Sequence, residues 1–468
     1  MNDVKVSPWL RSTPGPVAAD PSILEVPHRT RATTGLSRLL RETALPLDDI
    51  EGADVGRIID RIGDARVVLL GEATHGTSEF YRMRARVTRE LISHRGFSFV
   101  AAEADWPDAA RVDDYVLGIP RRSLVEFRPF SRFPQWMWRN EEVLTFVEWL
   151  RAHNAAQPRA KAGFHGLDLY SLFTSIAAVV GYLDEVDPVA ARRARERYGA
   201  LTPWQSDPAA YGQSVLVGAS DSSEAAVVAM LRELLARRVE LASRDGGRFF
   251  DAAQNARVVA DAERYYRAMY HGTAVSWNLR DTHMFETLMS LLTFYGPGSK
   301  GIVWEHNSHV GDASATEMGA HGELNVGQLC RARFGDEAYS IGFGTDHGTV
   351  AAAAGWDEPM ERMRVLPAME GSYERGFHDA GVTAFTIPLR RSSRRSVREE
   401  LTEPMLERAI GVVYKPSSER QSHYFYASLA RQFDEVIWFD ETTAIAPLGE
   451  DGGSLNGREM ADTYPFVR

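Results

Sequence analysis

The 468-residue chain contains a single cysteine, Cys330. One thiol excludes an internal disulfide framework and any zinc cluster built on cysteines. It leaves two readings for Cys330 itself, a small buried hydrophobe or a reactive thiol. Long apolar runs are also missing: none approaches the roughly 20 residues that cross a bilayer. The opening stretch MNDVKVSPWLRSTPGPVAAD has no basic start followed by an apolar core. No membrane span and no secretory leader are therefore expected, and the cytoplasm is the expected compartment. Excess positive charge is absent too, with 53 basic against 64 acidic residues and a net charge of −11. That balance argues against a general nucleic-acid binder and leaves small molecules or other proteins as partners.

Several catalytic signatures are missing as well: G-x-S-x-G, H-E-x-x-H and the P-loop do not occur. GPGSKG (296–301) fits G-x-G-x-x-G, but it precedes an apolar run where a dinucleotide site would follow one. It reads as a turn.

What is present is a folded chain, 44% hydrophobic and 25% charged. Its length exceeds the usual span of one core, so one large elaborated domain or two domains is expected. Residues 1–35, rich in Pro, Ser and Thr, read as a tail, with one α/β domain over 36–468. Short apolar runs recur: RVVLLG (66–71), FSFVAAEA (97–104), AGFHGLDL (162–169), GIVWEHN (301–307), AYSIGFG (338–344), AFTIPL (384–389), AIGVVY (409–414) and EVIWFD (435–440). Runs that are continuous rather than alternating suit strands buried on both faces. The expected fold class is α/β, a central mostly parallel or mixed sheet flanked by helices. Residues 171–276 lose the strand pattern and take up Ala-, Arg- and Glu-rich helical spacing, so they read as a helical insertion.

In open α/β sheets, ligands bind beyond the carboxyl ends of the strands. Four expected strand ends carry ionisable groups. The first is followed by Glu72 and His75, the second by Glu103 and Asp105, the third by His165 and Asp168, the fourth by Glu305, His306, Asn307 and His309. Each has a structural alternative: Glu72 or Asp168 as a helix cap, His165 as a satisfied core histidine. Burying several such groups without partners is costly, so Glu72, His75, Glu103, His306 and His309 together point to a polar site. TSEFYRMRARVTRELI reads as a helix with Phe80, Met83, Val87 and Leu91 facing inward and Arg84 two turns along. Arg84 is open between pairing with a carboxylate, stabilising an oxyanion and lying on the surface. A histidine beside a carboxylate suits a base that activates water against an ester-like carbonyl. Ser78 is a weaker nucleophile candidate, placed where a first-turn helix serine is expected. FRPFSRFPQWMW (127–138) brings Phe127, Phe130, Phe133, Trp136 and Trp138 together as a pocket wall or a packing loop.

Five segments, in order, resemble the erythromycin esterase family: GEATHGTSEFYRMR (71–84), EADWPDAARVDDYV (103–116), GLDLYSL (166–172), WNLRDTHM (277–284) and WEHNSHVGD (304–312). The resemblance implies hydrolysis of a macrolide-type lactone or ester by activated water, with no covalent intermediate and no cofactor. It implies His75 as the base, with Glu72, Arg84, Glu103, His306 and His309 lining the same site. Arg280 and Asp281 follow as second-rank members from the WNLRD motif. Trp106 and Asp168, with Phe130, Phe133 and Trp136 of the aromatic segment, are the expected substrate contacts. Glu305 stands where the family pattern leads one to expect a small or apolar side chain. Two other readings stay open. One is a metallohydrolase holding Zn²⁺ or Mn²⁺ on His75, His306, His309, Glu72 and Glu103; the other is a non-catalytic small-molecule binder.

Overall fold

Apolar runs become strands here wherever a neighbouring run offers backbone partners. A computed structural model of the protein describes residues 34–449, apart from 48, 53, 120–128, 158–159 and 391–394. The expected tail up to residue 33 and Phe127 lie outside the described residues. The strands are β1 (Leu45–Pro46), β2 (Val67–Leu70), β3 (Phe97–Asp105), β4 (Gly163–Asp168), β5 (Lys300–Trp304), β6 (Ala338–Ala353), β7 (Met360–Val365), β8 (Ala384–Pro388), β9 (Met405–Arg408), β10 (Tyr424–Ala427) and β11 (Glu435–Thr442). The fold is mixed α/β. The chain divides into two units: one is formed by residues up to Arg95 with Lys300–Val350 and Arg362–Ala444, the other by Gly96–Ser299, Ala351–Glu361 and residues from Ile445.

In the first unit the strand order is β1-β8-β11-β6-β2-β5. β2 runs parallel to both β5 and β6, with Leu70 opposite Trp304 on one side and Ile341 on the other. All four residues of β2 are buried, which explains its unbroken VVLL sequence. β11 is parallel to β6 and antiparallel to β8, and β1 is antiparallel to β8, so the sheet is parallel at its centre and mixed toward one edge. Because β2 and β5 end in register, the segments after Leu70 and Trp304 emerge side by side.

The helix Ser78–Arg95 buries the expected Phe80, Met83, Val87 and Leu91, and also Tyr81 and Arg84. The run 409–414 does not form a strand. The neighbouring Met405–Arg408 does, because it finds an antiparallel partner in β10. Ile410 makes only an isolated bridge to Thr74, and its burial with Val412 and Tyr414 comes from side-chain packing.

In the second unit β3 and β4 pair in parallel from Phe99–Gly163 to Ala102–Gly166. From Leu172 to Phe294 the described elements are all helical. Two of these helices start at Asp-Pro steps: Asp187 accepts from the backbone N–H of Val189 and Ala190, and Asp207 from that of Ala210. In each, the carboxylate satisfies open N–H groups while proline presets the first helical turn. Their apolar faces share a core that includes Val179, Leu183, Leu201, Tyr211, Met230, Leu234 and Tyr266. At Gly212 an added Cβ would lie 1.8 Å from the carbonyl oxygen of Tyr266, so only glycine lets these two helices approach. Among the described residues no helix is long and apolar enough to cross a membrane.

Two carboxyl groups, Glu374 and Glu407, are buried near one another in the first unit. Burial, and then the neighbouring Glu374, push Glu407 well above the usual carboxylate range. The folded chain therefore holds this proton more tightly than the unfolded chain. The stability linked to it is full below about pH 4.3, the unfolded value, and is lost as pH rises through the folded pKa. Glu407→Gln keeps the shape and removes the ionisation. It should raise the melting temperature at pH 8 by roughly 2 °C and change it little at pH 4, as read by thermal denaturation at both pH values.

Candidate active site

The chain after β2 turns immediately, and Gly71 is the residue that allows it. A Cβ there would sit 2.2 Å from Asn307 Oδ1, so the loop after β5 packs directly on this backbone. Asn307 locks that contact. Its backbone N–H donates to the Glu72 carbonyl at 2.8 Å, its Nδ2 donates to the Phe343 carbonyl at 2.7 Å, and its Oδ1 accepts from the Phe343 N–H at 3.2 Å. Two loops and β6 are thereby fixed to one another.

On this frame stands a charged chain of three residues. Arg84 Nη2 donates to Glu72 Oε2 at 2.7 Å, and Glu72 Oε1 accepts from His75 Nδ1 at 2.8 Å. Glu72 and Arg84 have no exposed surface, whereas His75 keeps 7% of its own. Arg84 lies over the Tyr81 ring at 4.3 Å and the Trp304 ring at 5.2 Å. Trp304 is itself held by an Nε1–H bond to Thr88 Oγ1 at 3.0 Å. With Nδ1 of His75 donating to the carboxylate, the lone pair resides on Nε2. Tyr81 Oη donates to the His75 carbonyl at 2.7 Å, and the His75 N–H donates to the Ile410 carbonyl at 3.3 Å, which fixes the backbone carrying the ring.

The His306 ring centroid is 4.8 Å from that of His75. His306 Nδ1 accepts from the Ser308 N–H at 3.2 Å, so the proton of the neutral ring sits on Nε2. Buried beside it are Glu305 and, on the short helix Asn307–Val310, His309.

The second unit contains a charged group at the ends of β3 and β4. Arg280, on the helix Thr273–Phe294, grips Asp168 through Nε (3.0 Å) and Nη2 (2.6 Å) and reaches Glu103 Oε1 at 2.7 Å. Burial opposes the Arg280 charge, but Asp168, Tyr170 and Glu103 outweigh it and hold its pKa well above the ordinary value. Trp138 Nε1 donates to the Glu103 carbonyl at 2.8 Å, and Arg132 pairs twice with Asp105 at 3.0 Å. Asp281 is fully buried one position beyond Arg280.

An erythromycin esterase family model matches residues 92–442. The chain belongs to the erythromycin esterase family. Its curated relatives include the erythromycin esterase type II of Escherichia coli, 23% identical over 341 residues, which are 69% of this chain and 80% of that protein. Solved structures with the same fold include a Bacillus cereus protein (TM-score 0.73, 21% identity, 90% of this chain and 100% of that one). A succinoglycan biosynthesis protein also shares it (TM-score 0.72, 21% identity, 88% and 98%), as does an EreC erythromycin esterase mutant in its open conformation (0.61, 18%, 86% and 97%). The family match starts at residue 92, after Glu72, His75 and Arg84, so that triad rests on its own geometry and on the motif that carries it.

Several expected residues of this family member have clear places. His165 is a satisfied core histidine: its Nε2 pairs with the Tyr295 hydroxyl at 2.8 Å, Trp106 stacks on its ring, and burial lowers its pKa to about 3. Trp106 in turn donates to Asp251 at 2.9 Å. Phe130 and Trp136 are buried, and Phe133 meets Trp136 edge-on at 5.2 Å and Trp356 at 5.5 Å. GPGSKG forms a turn with Gly296 and Gly298 at positive φ. Cys330 is buried, which pushes its thiol well above the usual range and makes it inert. Ser78 opens the helix, its N–H donating to the Thr443 carbonyl. Sequence reading missed the clamp made by Asn307 and the Tyr81–Trp304 sandwich. WEHN carries both the Trp and the Asn, but nothing in it or in GEATH says that the two segments meet.

Arg84→Met leaves Glu72 buried without its cation and should cost about 3–5 kcal/mol of unfolding free energy. Adding Glu72→Gln should recover part of that loss. Urea denaturation of the two variants and the parent checks both statements.

Proposed function

We propose that the protein hydrolyses an ester or lactone bond in a small molecule, using a water molecule as nucleophile and His75 as general base. The observation that carries this reading is the Arg84–Glu72–His75 chain. It fixes the imidazole by Nδ1 and turns Nε2 into the free base, the arrangement that general-base catalysis requires.

The steps follow from the residues. His75 Nε2 takes a proton as the water oxygen attacks the carbonyl carbon. Negative charge develops on the carbonyl oxygen, and His306, protonated on Nε2 and ring to ring with His75, is assigned to it. The bond to the alcohol oxygen then breaks, and the imidazolium returns the proton to that leaving group, giving a carboxylic acid and an alcohol. No acyl-enzyme forms. Glu72 is a positioning residue that holds the tautomer and stabilises the imidazolium, with its charge fixed by Arg84. His309 is assigned to the same site. Motif resemblance assigns Glu103 to the reaction and Trp106, Asp168, Arg280 and Asp281 to substrate binding, and the aromatic segment with Phe130, Phe133 and Trp136 is assigned as an apolar wall. A macrolide lactone is the first substrate class to test, since the Escherichia coli relative is an erythromycin esterase by description.

The experiment is turnover of macrolide lactones and simple aryl esters by the full chain in isotopically labelled water, read by mass spectrometry. The label should enter the product carboxylate on the first turnover. His75→Asn should lower kcat by about 10²–10⁴-fold with circular dichroism and melting temperature unchanged. Undiminished turnover by folded His75→Asn would sink the assignment of the base.

A further inference from the structure

Among the described residues, one group of histidines and carboxylates has its donor atoms within 4.8 Å of one another, and the reaction proposed above does not use it. It consists of Asp346, His347 and His378, with Asp440 beside them. Asp346 and His347 lie on β6 and Asp440 on the adjacent parallel β11, where Thr345 pairs with Phe439 and His347 with Glu441. His378 ends the helix Tyr373–His378.

We propose that Asp346, His347, His378 and Asp440 form a site for a zinc-class divalent cation that ties this helix to the middle of β6 and the end of β11. Three observations carry the inference. The first is spacing. His347 Nδ1 lies 2.8 Å from Asp346 Oδ2, His378 Nδ1 lies 3.7 Å from the same oxygen, and His378 Nδ1 lies 2.8 Å from Asp440 Oδ1. Ligands bound tetrahedrally at about 2.0–2.2 Å stand roughly 3.4 Å apart. Lengthening the two 2.8 Å contacts by about 0.6 Å, and closing the wider separations, up to 4.8 Å among Asp346, His347 and His378, would seat an ion with Asp440 following His378. The Nδ1 protons would be released as the metal binds.

The second observation is preorganisation. The Asp346 side chain is 2% exposed, and its Oδ1 accepts from the Ala368 N–H at 3.1 Å. Arg408 Nη2 donates to the carbonyls of Thr345 and Asp346 at 2.6 and 2.5 Å, which pins the backbone on which the carboxylate stands. The side chains of His347 and His378 remain about one third exposed, which gives an ion a way in.

The third is charge. Two carboxylates facing two imidazoles carry a formal charge of −2 when the rings are neutral, the Arg408 guanidinium being bound to the neighbouring backbone carbonyls and not to the carboxylates. The donor set of two nitrogens and two oxygens suits Zn²⁺. At Glu72 the corresponding charge is met by Arg84. Among the described residues no lysine or arginine forms an ion pair with Asp346 or Asp440.

The test strips the full-length protein with a chelator at mildly alkaline pH and titrates Zn²⁺ alone against a chromophoric competitor, with melting temperature as a second readout. The expected result is one equivalent bound and a zinc-dependent rise in melting temperature. His347→Ala and His378→Ala, both at partly exposed positions, should each weaken binding at least tenfold and abolish the thermal shift. His75→Asn should leave both readouts unchanged. Absence of stoichiometric zinc in the parent, undiminished binding by a His347→Ala/His378→Ala double variant, or loss of zinc in His75→Asn would each overturn the proposal.

Discussion

Arg84 places a permanent positive charge on the inner face of a helix, at a position with no access to water. Such a charge is tolerated only against an opposite charge with good hydrogen-bond geometry. Glu72, just past the end of β2, supplies it. The aromatic faces of Tyr81 and Trp304 take the rest of the guanidinium surface. Much of the first unit's local architecture follows from that requirement. The helix must start within a few residues of β2, the loop after β5 must press against Gly71, and Trp304 must end its strand in register with Leu70. His75 inherits its orientation from this arrangement, because the second oxygen of Glu72 is directed at its Nδ1.

The second unit uses the same device with different parts. Arg280 comes from a helix far along the chain and joins the carboxylates at the ends of two parallel strands, Glu103 and Asp168. In both units an arginine fixes acids that the carboxyl ends of strands would otherwise bury without a partner. The difference lies in the neighbour. Glu72 passes its constraint to an imidazole that retains some exposure, whereas Arg280 closes its carboxylates onto itself and onto the Tyr170 ring.

The sequence was most readable where a residue's role depends on its immediate neighbours. Buried strands such as VVLL and the inner face of Phe80, Met83, Val87 and Leu91 follow from periodicity alone. Reading failed where pairing decides. Residues 409–414 have the composition of a strand, but Met405–Arg408 has the partner, and hydrogen bonding to β10 outweighed apolarity. The site divides in the same way. Glu72 and His75 are three residues apart and announce each other. Arg84 does not, because its partner lies twelve residues back across a turn whose shape Gly71 and Asn307 determine. The cluster of Asp346, His347, His378 and Asp440 has no motif at all, since parallel pairing of β6 with β11 assembles it.

Two carboxylate–imidazole contacts of equal length, 2.8 Å at Glu72–His75 and at Asp346–His347, therefore call for different chemistry. Distance does not separate them; the third partner does. At Glu72 a guanidinium already satisfies the second oxygen, so a cation brought there would have to displace Arg84 into a space with no solvent. That leaves the imidazole for the proton transfer proposed above. At Asp346 the second oxygen is held by a neutral backbone N–H, the excess negative charge remains, and the imidazoles keep access to solvent. On the two proposals made here, the arginine-locked carboxylate makes a base of its histidine, and the carboxylate without one makes a ligand of it.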